Sequence, residues 1–179
     1  MKIGIIGKNW VGKTTLLKTI LWELKPLYWW IWIHEKVSIW SYSQIADDLD
    51  FNATICEELI GPWVSYREMM AYLWALRIDQ EKADQKIWLL SWWERSKVAL
   101  AKMLLAHPDI VVMDEPTNHL DLSSKEAVKE MLEWFNGVRL IVSHDRDFLE
   151  ATTEILRVIK EWKLTVFHSF ERGFNEIIN

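Results

Sequence analysis

Eight consecutive residues, Gly7-Lys8-Asn9-Trp10-Val11-Gly12-Lys13-Thr14, fit the spacing G-x-x-x-x-G-K-[ST]. An apolar run, Lys2 to Ile6, precedes them and a helical pattern follows. In that setting the loop and the helix start turn several backbone N–H groups toward one point, which makes a concave anion site. The groups in play are Gly7, Asn9, Trp10, Val11, Gly12, Lys13, Thr14 and Thr15. Lys13 would reach the β- and γ-phosphates of a nucleotide such as ATP, and the Thr14 hydroxyl would ligate Mg2+. The blander reading is a glycine-bounded turn with a solvent-facing lysine. A second set, Ile110-Val111-Val112-Met113-Asp114-Glu115, is an apolar run ending in two acids. If Ile110 to Met113 is a parallel strand, its end shares a rim with the phosphate loop. Asp114 could then hold Mg2+ through water, and Glu115 could take a proton from an attacking water. Taken alone, such acids mark no more than the start of a solvated loop.

These groups need elements to carry them. Leu16, Leu17, Ile20, Leu21 and Leu24 share one helical face, which predicts a helix over 14–24, ended by Lys25-Pro26. Trp30 to His34 and Val37 to Tyr42 read as a hairpin around Glu35-Lys36. Residues 45–107 read as mostly helical, with capping boxes at Ser65/Glu68 and Ser91/Glu94. Ser123/Glu126 is a third box, ahead of Val128, Met131, Leu132 and Phe135. Leu140 to Val142 is a buried strand, Ile155 to Ile159 and Leu164 to Phe167 form a terminal hairpin, and a short helix closes the chain. The alternation predicts an α/β fold with a helical insertion.

Composition narrows the rest. The chain has 179 residues, half of them apolar, enough for one packed domain. Its longest apolar run, Leu27 to Ile33, is far short of a membrane span, so no membrane insertion is expected. One cysteine, Cys56, suits a reducing compartment such as the cytoplasm. A net charge of −5 argues against a uniformly basic nucleic-acid coat, though not against a local basic patch. The Trp29-Trp30-Trp32 cluster could stack bases but reads better as strand residues packed across a hairpin.

Asp114-Glu115-Pro116-Thr117-Asn118-His119-Leu120-Asp121, followed by Ser143-His144-Asp145-Arg146-Asp147-Phe148-Leu149, resembles an ATP-binding-cassette (ABC) ATPase. Asn118-His119 and Arg146-Asp147-Phe148 resemble its ABC-F subfamily, soluble cassettes many of which act on the ribosome. The resemblance implies a P-loop NTPase fold of ABC type: a mostly parallel sheet core, a helical signature subdomain and a small β-hairpin element. It divides the chain into a nucleotide-binding core, 1–44 and 108–179, and a helical subdomain, 45–107. It implies Mg2+-dependent ATP hydrolysis with Glu115, His144 and Gln44 as catalytic residues, and Thr14, Gln44 and Asp114 at the metal. Ser91 would belong to the signature that touches ATP on a second cassette, head to tail, and Asp121 to the interface of the two. Ser91 and Asp121 are explained equally well as a helix cap and a turn acid. The chain looks like one half of a tandem protein. An ATP-binding subunit of a transporter is a weaker alternative.

One feature departs from the family. The chain has 13 Trp and 6 Gly, and Trp10, Trp92 and Trp93 stand where the family has glycine. Trp63 and Trp162 also fall at turn-like places. A left-handed backbone at residue 10 would cost a tryptophan about 1–2 kcal/mol. Two indoles at 92 and 93 would keep cassettes apart or cover amides. The pattern reads as an engineered or systematically substituted cassette. It leaves open a module that binds nucleotide without turnover, and a domain whose Trp10 fills the phosphate site.

Overall fold

A computed structural model describes residues 1–27, 32–42, 48–62, 64–118, 120–161 and 163–178. By contacts the chain divides into two compact units. One comprises Met1–Ser41, Asp109–Thr117 and Gly137–Asn179; the other comprises Tyr42–Pro108 and Asn118–Asn136.

Among its described residues the first unit holds a sheet of six strands: β1 (Lys2–Gly7), β2 (Ile39–Ser41), β3 (Ile110–Asp114), β4 (Val138–Val142), β5 (Ile155–Lys160) and β6 (Lys163–Phe167). Their order is β2-β3-β4-β1-β5-β6. All pairings are parallel except β5 with β6, the expected terminal hairpin. The strands on both sides of β1 are near-continuous runs of Ile, Leu and Val, as a sheet covered on both faces requires. Helix α1 (Lys13–Ile20) lies on one face of this sheet. Leu17 of α1 packs there with Ile5, Val112, Val142 and Ile159. The fold is therefore the α/β phosphate-loop type that the sequence implies.

Among the described residues of the second unit, four helices pack round one apolar core: α2 (Ile55–Leu59), α3 (Tyr66–Ala75), α4 (Trp92–Leu105) and α5 (Leu122–Trp134). Ile55, Met69, Leu73, Leu76, Ile87, Val98 and Met131 are all fully buried. Helix starts follow local chemistry. Ser91 and Glu94 form the expected reciprocal box at α4, and Ser65 accepts the Glu68 N–H at α3. Thr54 and Glu57 form another box at α2 that the sequence analysis did not single out. The first unit also carries α6 (Arg146–Thr152) and α7 (Phe170–Ile178), the short closing helix.

Three expectations are corrected. No hairpin joins 32–34 to 37–42 among the described residues: Trp32 to His34 is irregular, and Ile39–Ser41 pairs in parallel with β3. The apolar segment gains more by extending the buried sheet than by folding on itself. Helix α1 stops at Ile20, not Leu24, because residue 22 turns left-handed and reverses the chain. Helix α5 is capped by Asp121, which accepts the Ser124 N–H, two residues before the expected Ser123. A carboxylate with the right approach competes successfully with a hydroxyl there. The readings placed on Trp29, Trp30, Gln44, Trp63, His119 and Trp162 lie outside the described residues.

Candidate functional site

The site lies where parallel strands end. β1 finishes at Gly7, β3 at Asp114 and β4 at Val142, on one rim of the first unit. Register fixes this arrangement, since Ile5 and Asp114 both stand opposite Val142. Such a rim, beside a change of strand order, is where open α/β sheets bind ligands.

The loop from Gly7 to Gly12 turns tightly into α1. A Cβ at Gly7 would stand 2.7 Å from both the Ile159 carbonyl and Val11 Cγ1, so only glycine passes there. Gly12 takes φ 95° and caps α1 with no side-chain hydrogen bond. The first N–H groups of the helix are thus left to face an anion. Lys13 Nζ donates to the carbonyls of Gly7 (2.8 Å) and Lys8 (3.1 Å), which lays the ammonium along the loop. Burial pulls the Lys13 ammonium below its ordinary range, while Glu115 and Asp114 push it back up. Asn9, Thr14 and Thr15 are exposed on the same loop and helix start. Trp10 is 99% exposed, so its indole stands outside the cradle and does not fill it. Its φ of 67° is the left-handed backbone considered from the sequence.

Alternation along β3 decides which acid meets the loop. Ile110 and Val112 face α1, so Asp114, two residues on, points the same way. Thr14 Oγ1 donates to Asp114 Oδ2 at 2.7 Å. A hydroxyl and a carboxylate in contact at a helix start make an oxygen donor pair suited to Mg2+. Among the described residues no group of three or more His, Cys, Asp or Glu could hold a metal alone.

Glu115 leaves the strand with φ 50°, its N–H donating to the Val142 carbonyl at 2.8 Å. This turns its carboxylate toward the end of β4. Oε2 accepts the His144 backbone N–H at 3.3 Å, and His144 Nε2 lies 3.5 Å from Oε1. Oε1 is buried with no hydrogen bond among the described residues. Desolvation pushes the Glu115 carboxyl up and outweighs the His144 N–H, which lowers it. A carboxylate that binds a proton more readily than usual is a better proton acceptor. Buried Ser143 supports the turn: its hydroxyl accepts the Asp145 N–H at 3.1 Å and lies 3.4 Å from Thr117 Oγ1. The sequence analysis gave Ser143 and Thr117 no such role. A small hydroxyl directly after β4, at Ser143, and another three residues past β3, at Thr117, were the available signal.

Lys13, Thr14, Asp114, Glu115 and His144 are therefore together on one rim. Ser91 and Asp121 belong to the second unit. There Ser91 caps α4, and two exposed indoles, Trp92 and Trp93, sit edge to face with centroids 5.0 Å apart. Asp121 is held below the usual carboxylate range by the Ser124 side chain and N–H. Gln44 lies outside the described residues.

Comparison with known proteins adds three findings. The model of the family described as ABC transporter matches residues 1–118. "ABC transporter F family member 3" of Arabidopsis thaliana is 29% identical over 99% of this chain and 25% of its own length. "ATP-binding protein Uup" of Haemophilus influenzae is 34% identical over 84% of this chain and 24% of its own. Among solved structures, an archaeal ribosome recycling factor in complex with the archaeal ribosomal stalk protein matches with a TM-score of 0.80. It is 25% identical, over 99% of this chain and 36% of that one. The chain thus spans about a quarter of the length of these curated relatives. No described helix is long and apolar enough to cross a membrane.

Proposed function

Because this chain belongs to the ABC transporter family of ATP-binding cassettes, with relatives in its F-type branch, we propose that it binds and hydrolyses ATP with Mg2+ as half of a two-cassette ATPase. The observation that carries this reading is the shared rim: an uncapped loop with Lys13, the Thr14–Asp114 pair, and the Glu115–His144 pair.

The loop amides from Asn9 to Thr15 and the Lys13 ammonium hold the phosphates and offset their charge. Thr14 and Asp114 would hold Mg2+, with Gln44 as a further ligand. When bound, that ion withdraws charge from the β- and γ-phosphate oxygens. Glu115 receives the proton of the attacking water on its carboxylate. His144 orients the γ-phosphate and, through its N–H, fixes the Glu115 carboxylate. Ser91 and Asp121 serve the partner cassette, Ser91 at the start of α4 and Asp121 at the interface. The nucleotide-binding core, 1–44 and 108–179, and the helical subdomain, 45–107, are the parts that closure brings to work. The likeness to a ribosome recycling factor supports the ribosome as the target and, with it, the cytoplasm as the compartment of action.

A second reading has a specific observation behind it. Trp92 and Trp93 are exposed at the N-terminus of α4, where a partner's phosphate would have to approach. Under that reading the cassette binds ATP without turnover.

The test is MgATP-dependent phosphate release together with an ATP-dependent rise in melting temperature. Lys13→Ala should abolish both. ATP binding without turnover selects the second reading. A melting temperature indifferent to millimolar ATP refutes both.

A further inference from the structure

Six described residues other than glycine take a positive φ, and the two largest values belong to tryptophans, Trp10 at 67° and Trp22 at 63°. For a bulky side chain this is an outlier conformation. Both residues sit in turns built for glycine. Trp22 follows the C-cap of α1: its N–H donates to Thr19 O at 3.2 Å, and the Glu23 N–H donates to Lys18 O at 2.9 Å. That crossed pair is a Schellman turn, whose central left-handed residue is usually glycine. Trp10 stands at the crest of the phosphate loop, where Val11 N–H reaches back to Lys8 O at 3.4 Å.

Neither indole recovers the strain. A tryptophan normally repays its place by burying a large apolar surface. Trp10 is 99% exposed and Trp22 59%. Trp32, Trp74 and Trp88 are also largely exposed. Across the chain Trp outnumbers Gly by 13 to 6, the reverse of ordinary usage. A surplus of unrewarded indoles and a matching shortage of glycine have one common explanation.

We propose that positions 10 and 22, and with them 92 and 93, are glycine in the protein made by its own cell. The gene would carry UGA at these positions, a triplet that some genetic codes read as tryptophan and others as glycine. At 10 and 22 the ground is the backbone alone. At 92 and 93 it is the proposed ATPase reading, because bare amides at the start of α4 can approach a phosphate and two indoles obstruct it. Glycine at 10 leaves the phosphate loop unstrained.

The gene and the native peptides decide the matter. UGA codons at 10, 22, 92 and 93, with glycine at those positions in peptides of the protein isolated from its source cell, are the expected result. UGG codons at 10 and 22, or native peptides carrying tryptophan there, overturn the proposal. In the recombinant chain, Trp22→Gly should raise the folded-to-unfolded ratio about threefold, since relief of left-handed crowding exceeds the entropy glycine adds to the unfolded chain. An unchanged or lower ratio counts against it. None of these readouts involves ATP, so a failure of the ATPase reading leaves them intact.

Discussion

Replacing Glu115 with glutamine separates proton transfer from everything else the site does. The amide has the shape of the carboxylate, and its oxygen can still accept the His144 N–H that now reaches Oε2 at 3.3 Å. What disappears is the ability to take a proton from water. A positioned general base contributes about 10²–10⁴-fold, so ATP turnover should fall by at least about a hundredfold. ATP binding should persist, because the loop amides and Lys13 are untouched. Stability should hold or rise. Desolvation raises the Glu115 carboxyl above its ordinary value of 4.5, so the folded protein carries its ionised form at a cost. A group raised in this way stabilises the fold below about pH 4.5, and that contribution is lost as pH climbs through the raised value. Glu115→Gln should therefore flatten this part of the pH–stability curve. The assay is phosphate release and ATP-dependent melting, in the chain as it stands and in one also carrying Trp10→Gly, Trp92→Gly and Trp93→Gly. Turnover within about threefold of the parent, or loss of the ATP-dependent shift, would refute the role given to Glu115.

Three further outcomes follow from other contacts. Gly7→Ala forces a Cβ to within 2.7 Å of the Ile159 carbonyl and should destabilise the chain by about 1–3 kcal/mol while weakening ATP binding, read by urea titration and nucleotide titration. Thr14→Ala removes the hydroxyl that donates to Asp114 and should raise the Mg2+ concentration needed for half-maximal turnover at least about tenfold; an unchanged requirement excludes Thr14 as a ligand. The Glu94 carboxyl is lowered to about 2, chiefly by Lys82 and then by the Ser91 N–H, so its contribution is present above pH 4.5 and lost as pH falls toward 2. Glu94→Gln should cost about 1 kcal/mol near neutral pH and progressively less as pH falls through about 2, measured by denaturation across that range.

Much of the fold could be read before any coordinates. Parallel strands buried on both faces carry unbroken apolar runs, which made β3 and the Leu140–Val142 part of β4 plain, and Ser91/Glu94 declared the start of α4. Short or competing signals failed. Three residues of β2 carry no mark of their partner, and an aromatic-rich segment suits a hairpin as well as a sheet edge. At α5 the Ser123/Glu126 spacing suited a cap, and only the path of the chain gave that place to Asp121, two residues earlier. The end of α1 was missed because tryptophan at 22 gives no hint of a left-handed turn.

The sequence alone determined the phosphate loop, because its parts are contiguous: eight residues carry their own spacing, and the amides of a helix start need no distant partner to face an anion. Tertiary structure alone decided which distant groups meet. Thr14 and Asp114 are 100 residues apart and touch because parallel register and side-chain alternation bring β3 to the loop. Glu115 turns away from its neighbour toward His144 through one positive φ, and its raised affinity for a proton exists only where folding has excluded water. Register and desolvation are properties of packed chains, so no stretch of sequence can hold them.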